Sequence, residues 1–389
     1  MKKLLKFLVV AAVAAALCWH YQWAFRDLAN SRSMSVEDQL YHALMEERET
    51  ILLLGYELSD SQLADAWNHV MYTNADLFFV ADQFEYTVIN DRVLTVSPRY
   101  AVSGSQLSAA REIYEAAIAD ILSGVQDDWS QLETALYLHD YLCMHYAYDE
   151  TLSRYSAYEL LTEGTGVCQA YTVVYTALLQ ACGIECSYVV SEEMNHTWNI
   201  VYLDGVPYNV DITYDDPTGA RLGRAKHANF LKSDAAFDNT HNYTAAEGMG
   251  QCTDTSYDSA VWDNATSAFV PLGDDFYFIE HGTIHRWDGE TVTEVFTIYA
   301  TWFTDRGDGT YWQGNHSTLW AVDGGLLYNT NNRIMFLDPA IGVARVSCGY
   351  YGDGDIYGFT YNGDSITLQV GTDPNEAGEY LTVTSFTLY

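Results

Sequence analysis

The chain has 389 residues, 49% hydrophobic and only 18% charged, with 53 Asp and Glu against 18 Lys and Arg. A net charge of −35 repels phosphate backbones and anionic lipid heads, which argues against nucleic acid as a partner. The 31 Tyr, 15 Phe and 10 Trp supply too much buriable surface for a disordered chain, and no pattern supports a collagen, coiled-coil or polytopic membrane class.

Residues 1–24, MKKLLKFLVVAAVAAALCWHYQWA, place Lys2, Lys3 and Lys6 before an apolar run and small residues. This is the build of a cleaved secretory signal, so the expected location is secreted or cell-surface. A retained membrane anchor is the second reading, because Phe7 to Phe25 carries no Asp, Glu, Lys or Arg. A lipoprotein is the third, since Leu17 stands before Cys18 where a small residue is needed. Six cysteines remain beyond this segment, and their irregular spacing suggests buried thiols rather than a disulfide scaffold. Cys182 and Cys186 have no matching second pair with His, so a metal pair there is a weak reading.

A mixed helical and strand region is expected over 25–124. Ser35 and Asp60 can cap helices, and Leu63, Ala66, Trp67 and Val70 recur at helical spacing. Residues 77–102 alternate and read as strands. Residues 106–122 return to helix, with Ala110, Ile113, Ala117 and Ile121 on one face.

The core is expected over 125–247. Ser130 with Glu133, and Ser156 with Glu159, are capping boxes opening two helices, and Gly164 ends the second. A further helix starts near Cys168 and stops at Gly183. After it the period changes to two, with strands at Cys186–Val190, His196–Leu203 and Val206–Tyr214. Asp204-Gly205 between the last two is a two-residue hairpin turn. From 248 to 389 helical periodicity stops. Aromatic strand pairs recur at uneven spacing, which predicts an all-β domain, a partial propeller or a sandwich. Its exposed aromatics could touch cell-wall glycans, although cross-strand packing is the simpler reading of them. The sequons at Asn195, Asn242, Asn264 and Asn315 read as chance matches, because a glycan at Asn195 would crowd His196.

Chemistry concentrates on Cys168, His196 and Asp211. Cys168 falls in the first turn of a helix, where free N–H groups and the positive dipole end favour a thiolate. The Asp-Gly turn sets Leu203 opposite Val206, His196 opposite Thr213 and Asp211 opposite Trp198. Asp211 then shares a face with His196 one diagonal step away, at ~7–8 Å between backbones, which the two side chains can bridge. A register slip of one residue would separate them. Nucleophile, base and orienting carboxylate thus occur in an order that supports acyl transfer. Gln169 reads as a helix surface position. His139, His145, His227 and His241 read as structural, since no two make a ligand spacing with a carboxylate. Asp215-Asp216-Pro217 reads as a turn rather than a calcium loop.

The stretch YSAYELLTEGTGVCQAYTVVYTALLQACGIECSYVV, followed by NHTWNIVYLDGVPYNVDITYDDPTG, resembles the transglutaminase-like superfamily. The shared pattern is a Gly-rich approach to a Cys at a helix start, a His-x-Trp-Asn strand and a Tyr-x-Val-Asp strand. The flanks LHDYLCMHYAYD and KHANFLKSDAAF resemble those of bacterial members. The resemblance implies an α+β, papain-like core with Cys168, His196 and Asp211 as its triad. It says nothing of the β-rich tail. The expected function is an exported thiol enzyme acting on amide bonds of a protein or peptide, hydrolysing first and transamidating second. The alternative is a cell-surface binding or adhesion protein with an inactive domain. No cofactor or metal is implied, and membrane contact is expected only through an uncleaved N-terminal segment.

Overall fold

The computed structural model describes residues 22–216, 222–237, 240–241, 251–305, 311–373 and 378–389. Among them no helix is long and apolar enough to cross a membrane. Of the segment expected to direct export, residues 1–21 lie outside the described residues. The chain divides into two compact units, one ending at Tyr114 and one running from Glu115 to Tyr389.

The first unit begins with α1 (Gln22–Asn30) and α2 (Val36–Met45), the latter capped by Ser35, whose side chain accepts from the Asp38 N–H. In α3 (Asp60–Thr73) the cap is Ser59 rather than Asp60, because Ser59 and Gln62 close a capping box one residue earlier. Leu63, Ala66, Trp67 and Val70 are buried as their spacing predicts. Strands β1 (Ile51–Leu52), β2 (Val80–Ile89) and β3 (Arg92–Tyr100) form an antiparallel sheet in the order β1-β3-β2. Helix α4 (Leu107–Leu122), which begins in the first unit and ends in the second, buries Ala110, Tyr114 and Ile121, while Ile113 is 49% exposed. The buried stripe therefore runs through Tyr114, at i+4 from Ala110, and not through Ile113 as the apolar pattern suggested.

The second unit is α+β. Both expected capping boxes form, opening α5 (Gln131–His145) and α6 (Ala157–Glu163), and Gly164 ends α6 with φ +78°. Between the two lies β4 (Ala147–Tyr148), which pairs in parallel with β5 (Thr165–Gly166). Helix α7 (Cys168–Ala181) buries ten of its fourteen residues. It lies against an antiparallel sheet of β6 (Glu185–Ser191), β7 (His196–Leu203) and β8 (Val206–Val210), with β7 central. Each large apolar side chain buried in this layer contributes about 1.5–3 kcal/mol. The hairpin register is the expected one, with Leu203 opposite Val206, and Asp204 and Gly205 both take positive φ as a two-residue turn requires. The last strand stops short of expectation. It ends at Val210, and α8 (Ile212–Asp215) follows at once. The short α9 (Asp234–Phe237) comes next.

The C-terminal region is strand-rich, as expected. Its described residues form four successive antiparallel sheets: β9 (Val270–Leu272) to β12 (Val292–Thr297), β13 (Trp302–Asp305) with β14 (Tyr311–Gly314), β15 (Leu319–Val322) to β18 (Val343–Gly349), and β19 (Asp355–Tyr361) to β21 (Glu379–Val383). The six cysteines from Cys143 onward are free thiols, with Cys143 and Cys252 buried and the other four half-buried.

Core and tail meet at a buried charge. Asp140 of α5 accepts from His139 Nδ1 at 2.7 Å, from His227 Nε2 at 2.9 Å and from the Phe269 backbone N–H at 2.6 Å. His139 Nε2 also lies 3.3 Å from the buried Asp215 carboxylate. His139 and His227 thus share a carboxylate that no spacing along the chain announces. Sequence reading missed it because His139 and His227 are far apart along the chain. Burial alone would lower the His139 pKa, but hydrogen bonds to Asp140 and Asp215, with their charges, raise it from 6.5 to about 9. Burial favours neutral Asp140, yet the His227 charge and the bonds from both histidines lower its pKa.

Asp140→Asn is expected to cost about 3–5 kcal/mol of stability, because it leaves buried histidines without their counter-charge. Denaturation in urea checks this. In the wild type the His139 contribution is complete below pH 6.5 and lost as pH rises through about 9, while that of Asp140 is lost on acidification. Melting temperature measured against pH should therefore fall off on both sides of a mildly acidic maximum.

Candidate active site

Two short segments fix the start of α7. The β4–β5 pairing sets Tyr148 beside Gly166, two residues before Cys168. Asp149 then organises the following loop by accepting from the N–H groups of Thr151, Ser153 and Arg154. The Arg154 carbonyl in turn accepts from the Val167 N–H at 2.9 Å. Gly166 is needed for space, since a Cβ there would lie 2.9 Å from Ala170 Cβ and 3.2 Å from Leu160 Cβ. Val167 is the N-cap and supplies no side-chain cap. The N–H groups of the first turn, at Cys168, thus keep their partial positive charge for a ligand.

Asn199 seats this helix on the sheet. Its buried Nδ2 donates to the Thr172 carbonyl at 3.1 Å and to Thr176 Oγ1 at 2.9 Å, both on α7. It is three residues along β7 from His196. Its burial and bonds give the helix one position relative to the strand that carries the imidazole. Apolar contact alone would tolerate several.

His196 opens β7 opposite Ser191. Its Nε2 donates to Asp211 Oδ2 at 2.5 Å, which leaves Nδ1 for Cys168, a hydrogen-bond partner and charge neighbour of the ring. The structure therefore brings Cys168, His196 and Asp211 together. Asp211 follows the last β8 pair and caps α8, its Oδ1 accepting from Thr213 Oγ1 at 2.7 Å and from the Tyr214 N–H at 3.1 Å. The expected pairing of His196 with Thr213 does not form, because this capping turns the chain out of the strand. Tyr214 is carried onto the site instead: its ring stacks on His196 at 4.8 Å and remains 42% exposed. Trp198 is buried, stacks against His196 at 5.9 Å and donates to Asn209 Oδ1.

Charge follows from this packing. Burial alone would lower the His196 pKa, but the charge and hydrogen bond of Asp211, joined by those of Cys168, raise it from 6.5 to about 10. Burial favours neutral Asp211, yet the His196 charge and the bonds from His196, His241 and Thr213 hold it well below the usual carboxylate range. Burial raises the Tyr148 phenol to about 12, so it stays a donor near the thiol. An ionised carboxylate, an imidazole biased to its charged form and a thiol at a helix start can support attack on a carbonyl carbon.

Sequence reading missed several residues. Gln169 is buried, not on a helix surface, because α7 is covered on nearly all sides. His241, read as structural, has its Nε2 2.8 Å from Asp211 Oδ2. Asp215 and Asp216 act as internal acceptors, for Asn229 and for the Tyr171 hydroxyl, while Pro217 lies outside the described residues. Burial raises the Asp216 pKa to about 7 despite the Tyr171 bond. The sets His139, Asp140, His227 and His196, Asp211, His241 are each close enough to share a metal ion. Their contacts of 2.5–2.9 Å are hydrogen bonds. Tetrahedral zinc, with bonds of ~2.0–2.1 Å, would hold its ligands roughly 3.3 Å apart.

Residues 116–212 match the core model of the transglutaminase-like superfamily. This stretch is a transglutaminase-like domain. The match contains Cys168, His196 and Asp211 and ends one residue past the last. A solved structure called a TGase is 14% identical, with 44% of this chain and 52% of that one covered at a TM-score of 0.26. A cysteine-protease candidate from Cytophaga hutchinsonii is also 14% identical, with 34% and 61% covered at 0.21. The chain thus spans about half and about three-fifths of those two proteins. No curated protein matches it.

The Asn199 seat of the transglutaminase-like domain can be tested alone. Asn199→Ala removes its bonds to α7 and is expected to cost about 1–3 kcal/mol in denaturant unfolding. Unchanged stability would mean that apolar packing alone holds the helix.

Proposed function

We propose that this chain is a thiol enzyme acting on amide bonds, with Cys168 as nucleophile, His196 as acid and base, and Asp211 as the carboxylate that orients and supports the imidazole. The observation that carries this reading is the His196 ring bonded to Asp211 Oδ2, with Cys168 as its electrostatic neighbour. In this mechanism His196 Nδ1 holds the proton taken from Cys168, and the thiolate Sγ attacks the amide carbonyl carbon. The backbone N–H groups at the start of α7 stabilise the oxyanion. The C–N bond then breaks, His196 protonates the departing amine, and a thioester remains. Water, deprotonated by His196, attacks the thioester carbonyl, the C–S bond breaks, and the acid leaves as the Cys168–His196 pair is restored; in transamidation an amine takes the place of water.

Hydrolysis is the favoured outcome. Lys232 is buried and paired with Asp263 at 2.5 Å, so among the described residues only Lys226 is an exposed lysine. A cross-linking enzyme would find almost no acceptor in copies of itself. We further propose export through the N-terminal segment, a protein or peptide substrate, and contact with cell-wall glycans through the strand-rich tail. Tyr299 and Tyr351, each 95% exposed there, support the last point.

Iodoacetamide near neutral pH should alkylate Cys168 first, since burial raises the pKa of Cys143, Cys182, Cys186, Cys252 and Cys348. His196→Ala should slow that labelling by roughly tenfold or more, because the imidazole that holds the thiol's proton is gone. Labelling of Cys168 no faster than a model thiol would sink the activated-nucleophile reading. With a peptide panel and an amine probe, cleavage products lost in Cys168→Ala favour hydrolysis, and probe incorporation lost in that variant favours transfer. For a cleaved substrate, kcat/KM should fall as pH rises through about 10, where His196 loses the proton the leaving amine needs.

A further inference from the structure

Resting on the thiol-enzyme reading, we propose that His241 is a positioning residue of the site, a second imidazole that locks the Asp211 carboxylate in the plane His196 requires. A carboxylate can only accept, so the nitrogen that faces it carries the proton. His196 Nε2 and His241 Nε2 therefore both donate to Asp211 Oδ2, at 2.5 and 2.8 Å. Thr213 and the Tyr214 N–H occupy Oδ1. With four donors in place the carboxylate cannot turn about its Cβ–Cγ bond without breaking a buried hydrogen bond. Without His241, only His196 would hold Oδ2, and the ring that must shuttle protons would also have to fix the group meant to orient it.

His241 is itself fixed. Its Nδ1 is 2.8 Å from Thr240 Oγ1, and its ring stacks on Phe237 at 3.8 Å and meets the edge of Trp198 at 4.9 Å. The titratable groups facing it are Asp211, His196 and Tyr214, while α9 presents only the apolar Phe237. His241 lies beyond the 116–212 match, on a segment tied to β8 by the Asn209–Lys232 bridge. The wild-type fold therefore brings it to the site from outside the matched core.

The test compares His241→Phe, which keeps a ring against Phe237 but has no donor, with His241→Gln, which keeps a donor. Histidine ring signals in carbon-13-labelled protein give the His196 titration midpoint. His241→Phe should lower it by about one unit, a tenfold change in acidity, and His241→Gln should leave it close to wild type. Cys168 alkylation at pH 7 should fall several-fold in the first variant and recover in the second. A wild-type midpoint in His241→Phe overturns the proposal, and so does an equal shift in both variants, which would assign His241 to packing. A shifted midpoint beside an unreactive wild-type Cys168 would remove the thiol-enzyme reading and leave the positioning role standing.

Discussion

A buried negative charge organises this site. Asp211 is almost fully shielded from water, and an ionised carboxylate without partners in such a place would take up a proton. It stays ionised because strand β7, the cap of α8 and the segment after α9 each bring donors to it. The chain leaves the β8 strand where it does because that carboxylate caps the helix that follows. Tyr214 then lands on His196, and the imidazole acquires a roof. One unsatisfied oxygen would loosen all of these together, since the donors come from three different elements.

Much of this was legible in the residues. Asp204-Gly205 fixes the hairpin turn, the turn fixes the register, and the register brings Asp211 and His196 to one face. The capping boxes at Ser130 and Ser156 act over three residues, a range at which local chemistry dominates. Failures occur where a contact spans the fold. Thr213 and Tyr214 have strand propensity, but the helix cap at Asp211 overrides it. Asn199 looks like any polar residue in a strand until α7 lies against it. Nothing near His241 in the sequence announces that its loop returns to Asp211.

Polar specificity, rather than apolar bulk, joins the layers. Asn199 sets helix against strand, and Asn209 links β8 to Trp198 on one side and to Asp234 on the other. Each amide is buried and bonded more than once, so each permits a single arrangement. The apolar core supplies most of the stabilisation but would accept several packings of similar energy.

The Asp140 junction bears on how such proteins can be assembled in evolution. Its third donor, the Phe269 N–H, belongs to the strand-rich tail, while its other partners belong to the core. A recombination event that joined this core to an unrelated tail would also have to supply a new backbone donor at the same point. Core and tail thus differ in composition yet depend on one another for the satisfaction of a single buried charge.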